Sequence, residues 1–219
     1  MENYLIKNKK YVIWDWNGTL LDDTALCSQI INRLLVERGL PELTLDDHRR
    51  KFDFPVKRFY ERAGFDFDRE PFEKISEKFI TTYYEEMETC ALHIDALPWL
   101  KRFQTAKIEQ IVLSASEKNH LLKSLNFYGV IDFFSEALGI DSIHAEGKVE
   151  MAKHWIRSSK IKLEDILLIG DTLHDGEVAE NLGVDCVLVA QGHHHPERLK
   201  ASGFPVVPSL KALEFKDAS

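Results

Sequence analysis

An α/β fold built on a doubly wound parallel sheet, with a helical segment inserted after its first core strand, is what the order of apolar patterns in these 219 residues predicts. Three observations carry it. Short β-rich apolar runs recur along the chain. The later ones are followed by a polar loop and then by residues at helical spacing. One long stretch, from about residue 24 to 92, shows helical spacing alone. The runs are continuous rather than alternating, which suits parallel strands buried on both faces.

The first clear run is Tyr11–Trp14. Asp22, Asp23 or Thr24 can then cap a helix whose Leu26, Ile30 and Leu34 share one face, and Gly39-Leu40-Pro41 stops it. Phe72, Ile75, Phe79 and Tyr83 mark a later helix of the same segment, and Ala96-Leu97-Pro98 marks the return to the core. Runs at 111–113, 166–169 and 187–189 complete the strands, with helical stretches at 121–125, 149–156 and 177–182, the last closed by Gly183. This divides the chain into a Rossmann-like core of residues 1–20 and 96–219 and a helical cap of residues 21–95.

Composition narrows the function classes. Hydrophobic residues at 44% and charged residues at 29% exclude a disordered chain, and no apolar run approaches the roughly 18 residues of a membrane span. The net charge of −8 argues against nucleic acid or an anionic membrane as the main partner. Met1 to Lys10 holds several lysines with no apolar stretch behind them, so a cytoplasmic location is expected. Cys27, Cys90 and Cys186 are far apart and read as reduced thiols.

Ligands of a doubly wound sheet bind beyond the carboxyl ends of its strands. There the chain places Asp15-Trp16-Asn17-Gly18-Thr19-Leu20-Leu21-Asp22, Ser114-Ala115-Ser116, Gly147-Lys148 and Gly170-Asp171-Thr172-Leu173-His174-Asp175. Singly these have plain readings: helix caps or loop solvation for Asp15 and Asp171, a first-turn helix carboxylate for Asp175, a turn for Ser114, a solvated lysine for Lys148. Together they make one site of two or three carboxylates, a hydroxyl and an ammonium. Asp15 facing Asp171 calls for an intervening cation, and an oxygen-only set suits Mg²⁺, with Lys148 and Ser114 free for the oxygens of a substrate phosphate.

In these four segments the chain resembles the haloacid dehalogenase superfamily of aspartate-nucleophile phosphotransferases, in its branch with a helical cap. Residues 15–22 look like its first motif, Ser114 like its second, Lys148 like its third and residues 170–175 like its fourth. The resemblance implies that Asp15 attacks phosphorus to form an aspartyl phosphate that water then hydrolyses. It implies Mg²⁺ on the Asp15 and Asp171 carboxylates and the Asn17 main-chain oxygen, with Asp175 behind them. Ser114 and the Ala115 amide would hold the phosphoryl group, and Lys148 would offset its charge.

One position departs from the pattern. Where the family carries a second aspartate as general acid and base, this chain has Asn17, and an amide cannot exchange that proton. The expected function is a Mg²⁺-dependent phosphatase of a small anionic metabolite, similar to phosphoglycolate phosphatases, whose caps the residues around Phe54-Pro55 and 59–65 resemble. Two alternatives follow from Asn17: a carbon–phosphorus hydrolase like phosphonoacetaldehyde hydrolase, using a cap lysine such as Lys57, or a phosphate-binding protein with little turnover. Dehalogenases are disfavoured because Gly170-Asp171 is intact.

The segment from Arg49 to Arg62 carries a local charge of +4, and Arg50 and Lys57 are candidates for a positive rim over the substrate. A solvated helix face is the plainer reading. His193-His194-His195 reads as a solvated loop near the site rather than a metal site. His174 is placed to orient a carboxylate or a metal-bound water, and Trp16 to line the substrate mouth.

Overall fold

The strands are β1 (Tyr4–Ile6), β2 (Tyr11–Trp14), β3 (Leu21–Asp22), β4 (Ala91–Leu92), β5 (Glu109–Glu117), β6 (Glu136–Ile140), β7 (Ile166–Gly170), β8 (Asp185–Val189), β9 (Val206–Val207) and β10 (Leu213–Phe215). The helices are α1 (Thr24–Val36), α2 (Leu45–Lys51), α3 (Val56–Ala63), α4 (Phe72–Glu86), α5 (Ala96–Thr105), α6 (Lys118–Phe127), α7 (Lys148–Ser159), α8 (Leu173–Leu182) and α9 (Pro196–Lys200). This computed structural model describes residues 3–140 and 147–215. Residues 1–2, 141–146 and 216–219 of the two predicted core segments lie outside the described residues.

Six strands pair in parallel in the order β6-β5-β2-β7-β8-β9. Alternate side chains of each strand enter opposite layers, because the side-chain period of a strand is two. Val12, Trp14, Val112, Leu167, Ile169 and Val187 pack with α5 and α6 residues including Trp99, Phe103 and Leu125. Ile13, Ile111, Leu113, Leu168 and Leu188 pack on the other side with Ala152, Trp155, Val178, Leu182 and Leu199 of α7, α8 and α9. Both faces of the sheet are therefore covered, which is why the strands read as uninterrupted apolar runs. The chain leaves β2 toward β5 and β6 and returns on its other side as β7, so the strand order reverses beside β2. The crevice above that reversal is where such a sheet binds ligands.

Helices α1 to α4 fill the interval between β3 and β4, which pair antiparallel at Leu21↔Leu92. They enclose a third apolar cluster with Ile30, Leu34, Phe59, Tyr60, Phe65, Ile75 and Tyr83. Burying a side chain of that size contributes about 1.5–3 kcal/mol, so this segment has a core of its own. Helix α2 starts with a reciprocal capping box, Thr44 accepting from the Asp47 amide and the Asp47 carboxylate accepting from the Thr44 amide. Asp23 precedes α1 but makes no cap hydrogen bond, its side chain being engaged elsewhere.

The predicted runs fall in β2, β5, β7 and β8, and the predicted helical stretches in α6, α7 and α8. Three differences have simple causes. The Ala96-Leu97-Pro98 signal lies in the first turn of α5, where a proline costs no hydrogen bond. The signal at β6 is weak because Gly139 interrupts it; a Cβ there would stand 2.9 Å from the Lys118 Cα, so the backbones approach too closely for a larger residue. The β1–β10 ribbon joins segments more than 200 residues apart, a pairing that no local pattern encodes. Among the described residues no helix is long and apolar enough to cross a membrane.

Candidate active site

Asp15 follows β2 directly and its amide donates to the Ile169 carbonyl at 2.9 Å, which holds it at the carboxyl edge between β2 and β7. Gly18, at φ +77°, turns the chain back so that the Leu20 and Leu21 amides donate to the Trp16 carbonyl. The turn aims the Thr19 hydroxyl at two carboxylates, 3.1 Å from Asp15 and 3.0 Å from Asp171. Lys148 is the first residue of α7, and its ammonium donates to Asp15 and, at 2.9 Å, to Asp175. The other Asp175 oxygen accepts from the Thr172 hydroxyl at 2.6 Å and the Thr172 amide at 3.0 Å, forming the capping box of α8. Asp175 is therefore fully engaged, and its work is to position Lys148 and the start of the helix.

Three buried carboxylates meet one ammonium here, and ligand atoms of Asp15, Asp171 and Asp175 lie within 4.8 Å of one another. Burial pushes the Asp15 carboxyl above its ordinary range, the Asp175 charge adds to that, and Lys148 opposes it. Burial raises Asp171 well above the usual carboxylate range, with Asp15 and Asp175 adding to the effect. Burial would raise Asp175 too, but the Lys148 charge and the Thr172 hydrogen bonds hold it low. For Lys148 the two carboxylates outweigh burial and raise its pKa. The surplus of negative charge marks a place for a cation. The backbone closes around Asp171, since a Cβ on Gly18 or Gly192 would stand 2.4 or 2.1 Å from its carboxylate oxygen.

Beside this cluster Asn17 has both ends of its amide engaged. Its Nδ2 donates to an Asp23 carboxylate oxygen and contacts the Tyr83 hydroxyl, each at 2.7 Å, and its Oδ1 accepts from Ser116 at 3.2 Å and Ser114 at 3.4 Å. Asp23 also accepts from Tyr83 at 2.7 Å and from the Gly18 amide at 2.9 Å, and it lies 3.2 Å from His193 Nε2. Burial would lower the His193 pKa, but Asp23 raises it to about 9, so at neutral pH this ring is an imidazolium donating to Asp23. Asp23, Tyr83 and His193 belong to the site, where the sequence suggests a helix cap, a helix face and a solvated loop, and Ser116 joins Ser114 in holding the Asn17 amide.

A cavity of about 640 Å³ opens above these groups. Asp15, Asn17, Ser114, Ala115, Lys148 and Asp175 line its floor, and cap side chains, mostly aromatic, line the rest. Thus Asp15, Asn17, Ser114, Ala115, Lys148, Asp171 and Asp175 come together. Arg50 and Lys57 do not. Arg50 is exposed and pairs with Asp46 at 2.7 Å and with Glu197 of α9 at 2.8 Å, tying the cap to the core. The Lys57 ammonium lies 5.3 Å from the Phe67 ring centroid, and neither residue reaches the cavity.

Other expectations need correction. His193 and His194 are buried rather than solvated, because the loop folds over Asp171: the His193 amide donates to its carboxylate at 2.5 Å, and His194 Nδ1 accepts from the Leu173 amide at 3.0 Å. His195 caps α9 by accepting from the Glu197 amide. His174 stacks on Phe54 with ring centroids 4.8 Å apart and faces Glu177, away from the carboxylates. Trp16 is buried against Tyr128 and lines no part of the cavity.

His48 lines the cavity with both ring nitrogens buried and unpartnered. Burial lowers its pKa to about 3, and burial does the same for His194. Each folded value lies below the unfolded one, so the unfolded chain binds more protons between about pH 3 and 6.5. Stability is full above that window and is lost as the pH falls through it. His48→Leu should flatten this acid limb by up to about 1.4 kcal/mol per pH unit. Urea midpoints of wild type and variant at pH 7 and pH 5 check it; equal losses for the two proteins would contradict it.

A family model described as haloacid dehalogenase-like hydrolase matches residues 12–189. The phosphoglycolate phosphatase of Rhodobacter capsulatus is 23% identical over 210 residues, covering 91% of this chain and 95% of its own. That of Pseudomonas putida is 23% identical over 215 residues, covering 93% of this chain and 78% of its own. The solved structure of a haloacid dehalogenase-like family hydrolase from Streptococcus pneumoniae superposes with a TM-score of 0.78 at 15% identity, over 92% of this chain and 94% of that one. The family match runs through all four segments that meet at Asp15, and the chain belongs to the haloacid dehalogenase-like hydrolases.

Proposed function

We propose that this hydrolase is a phosphatase that transfers the phosphoryl group of a small phosphate monoester to the Asp15 carboxylate and then to water. The observation that carries this reading is the buried group of Asp15, Asp171, Asp175 and Lys148 at the floor of a cavity of ligand size. Asp15 is the carboxylate on the cavity floor that stands at the strand edge, paired with an ammonium that opposes the effect of burial on its charge. Lys148, once a phosphate enters, shares its protons with the transferring oxygens, and Ser114 with the Ala115 amide orients them. Asp175 keeps Lys148 in place. The phosphoglycolate phosphatases among the relatives support a small phosphate ester as the substrate.

The donor set fits Mg²⁺: oxygen ligands only, and more carboxylates than cations. The Asp15 and Asp171 carboxylates with the Asn17 main-chain oxygen would hold it. When bound, the ion supplies positive charge to the carboxylates and to the phosphate oxygens. A ligand that binds only the folded state raises its stability by RT ln(1 + [L]/Kd), about 2.7 kcal/mol at a hundredfold excess over Kd. Wild type should therefore show a Mg²⁺-dependent rise in melting temperature that Asp171→Asn lacks. The same melting temperature for wild type with and without 10⁻² M Mg²⁺, on the order of a saturating dose for such sites, would count against the ion.

A panel of phosphate esters assayed with and without Mg²⁺ tests the activity itself. The second reading, phosphate binding with little turnover, rests on Asn17, whose amide carries no exchangeable acid proton. The carbon–phosphorus alternative needs a cap lysine that forms a Schiff base with the substrate, and Lys57 lies outside the cavity.

A further inference from the structure

We infer that the substrate of this cavity is an aryl phosphate: a phosphate monoester of a phenol-type alcohol with a flat apolar ring, rather than a phosphate of a short hydroxy acid. The inference rests on the phosphatase reading and names the class of ester it acts on. Two independent features of the site carry it, one on the binding side and one on the chemical side.

The binding side is the cap. Phe52, Phe59, Tyr60, Phe72, Phe79 and Tyr83 face the floor residues Asp15, Ser114 and Lys148 across the cavity. Rings in such a wall favour offset or edge contacts with another ring. A substrate carboxylate would need a cation on that wall, and among the described residues the lining offers none. Its cations are Lys148, already between Asp15 and Asp175, and His193, already against Asp23. His48, the remaining basic side chain of the lining, is held neutral by burial. No arginine lines the cavity: Arg49 donates to the Gln191 carbonyl, Arg50 pairs with Asp46 and Glu197, and Arg62 with Asp53.

The chemical side is Asn17. In the transfer, an Asp15 oxygen forms a new bond to phosphorus while the ester P–O bond breaks, and that bond's electron pair leaves on the alcohol oxygen. Water then attacks the aspartyl phosphate, releasing inorganic phosphate and restoring the carboxylate; the departing alkoxide or phenolate takes its proton from solvent. Asn17 can donate a hydrogen bond but no proton, and its amide is already held by Asp23, Tyr83 and the two serines. An alkoxide, whose conjugate acid is about as weak an acid as water, leaves poorly without an acid. A phenolate, whose conjugate acid has a pKa of about 10, leaves without one. The wall and the amide thus select the same kind of leaving group.

Substrates and inhibitors separate the two sides. Purified protein with Mg²⁺ is offered phenyl, 1-naphthyl and 4-nitrophenyl phosphates beside 2-phosphoglycolate and glycerol 3-phosphate. The aryl esters should exceed the others in kcat/KM by about 10²-fold or more. Benzylphosphonate, which cannot be cleaved at this bond, should compete against 4-nitrophenyl phosphate about 10- to 100-fold more tightly than phosphonoacetate, the range expected for burying a ring. Phe79→Ala should narrow that inhibitor ratio, and the wild-type ratio stands by itself should the variant not fold. Phosphonoacetate binding as tightly as benzylphosphonate, or 2-phosphoglycolate matching the aryl esters, overturns the inference and leaves the phosphatase reading intact. No Mg²⁺-dependent turnover of any ester overturns both.

Discussion

Asp15→Asn is expected to remove turnover of every phosphate ester, a loss on the order of 10⁴-fold or more, in a protein that stays folded. An amide at this position is too weak a nucleophile to open a phosphate ester, and neither of the two carboxylates beside it takes its place. Asp175 has both oxygens engaged by Lys148 and Thr172, and Asp171 is enclosed by Gly18 and Gly192. Folding is expected to survive because Asp15 is one of three carboxylates crowding a single ammonium. Removing its charge relieves repulsion, and the amide oxygen still accepts from Lys148 or Thr19. Rates with 4-nitrophenyl phosphate and with a slower alkyl ester, measured beside thermal melts, check both halves. A folded variant retaining more than about a hundredth of wild-type kcat would show that Asp15 is not the nucleophile.

The core of this molecule is legible because both faces of the sheet are covered. Residues 166–169 are buried throughout, and an uninterrupted apolar run of that length between polar loops has few other readings. The carboxylates and Lys148 follow from the same fact. Asp15 and Asp171 stand just past strands that share one edge and Lys148 opens the helix beside them, so side chains 133 residues apart in the chain meet at hydrogen-bond distance. Reading the residues after β2 and β7 was enough to find Asp15 and Asp171, whereas Lys148 stands out only by its place in the series of segments that resembles the family.

The upper half of the site was illegible for equally physical reasons. Phe72, Phe79 and Tyr83 recur at helical spacing, and that spacing is the same whether a ring fills a core or lines a cavity. The charge excess of the cap gave no direction for its side chains. Asp46 four residues before Arg50 was nonetheless a visible signal of an exposed helical pair. Asp23 looked like a helix cap, and only the fold of the Gly18 turn swings its carboxylate toward Asn17 and His193. For His193 the available clue was Gly192, which a close approach to the Gly18 carbonyl and Asp171 requires.

Asn17→Asp is expected to raise kcat/KM for alkyl phosphates by about 10²-fold or more, the usual worth of a general acid, and to change aryl phosphates by less than about tenfold. The surroundings decide how the new carboxyl behaves. Asn17 Nδ2 lies 2.7 Å from an Asp23 oxygen, so two carboxylates would come into contact there, and such a pair retains one proton between them. That retained proton is the acid an alkoxide needs. Its cost is the loss of the amide hydrogen bonds at Asp23 and Tyr83, a destabilisation of about 1–3 kcal/mol for buried partners left unmatched. Adding Asp23→Asn removes the charge that holds this proton and leaves the buried His193 ring without its partner, so the double variant should lose the gain on alkyl esters and melt lower still. If the folded Asn17→Asp variant is no faster than wild type on glycerol 3-phosphate, the leaving group does not depart past position 17, and the preference for aryl esters must come from the aromatic wall alone.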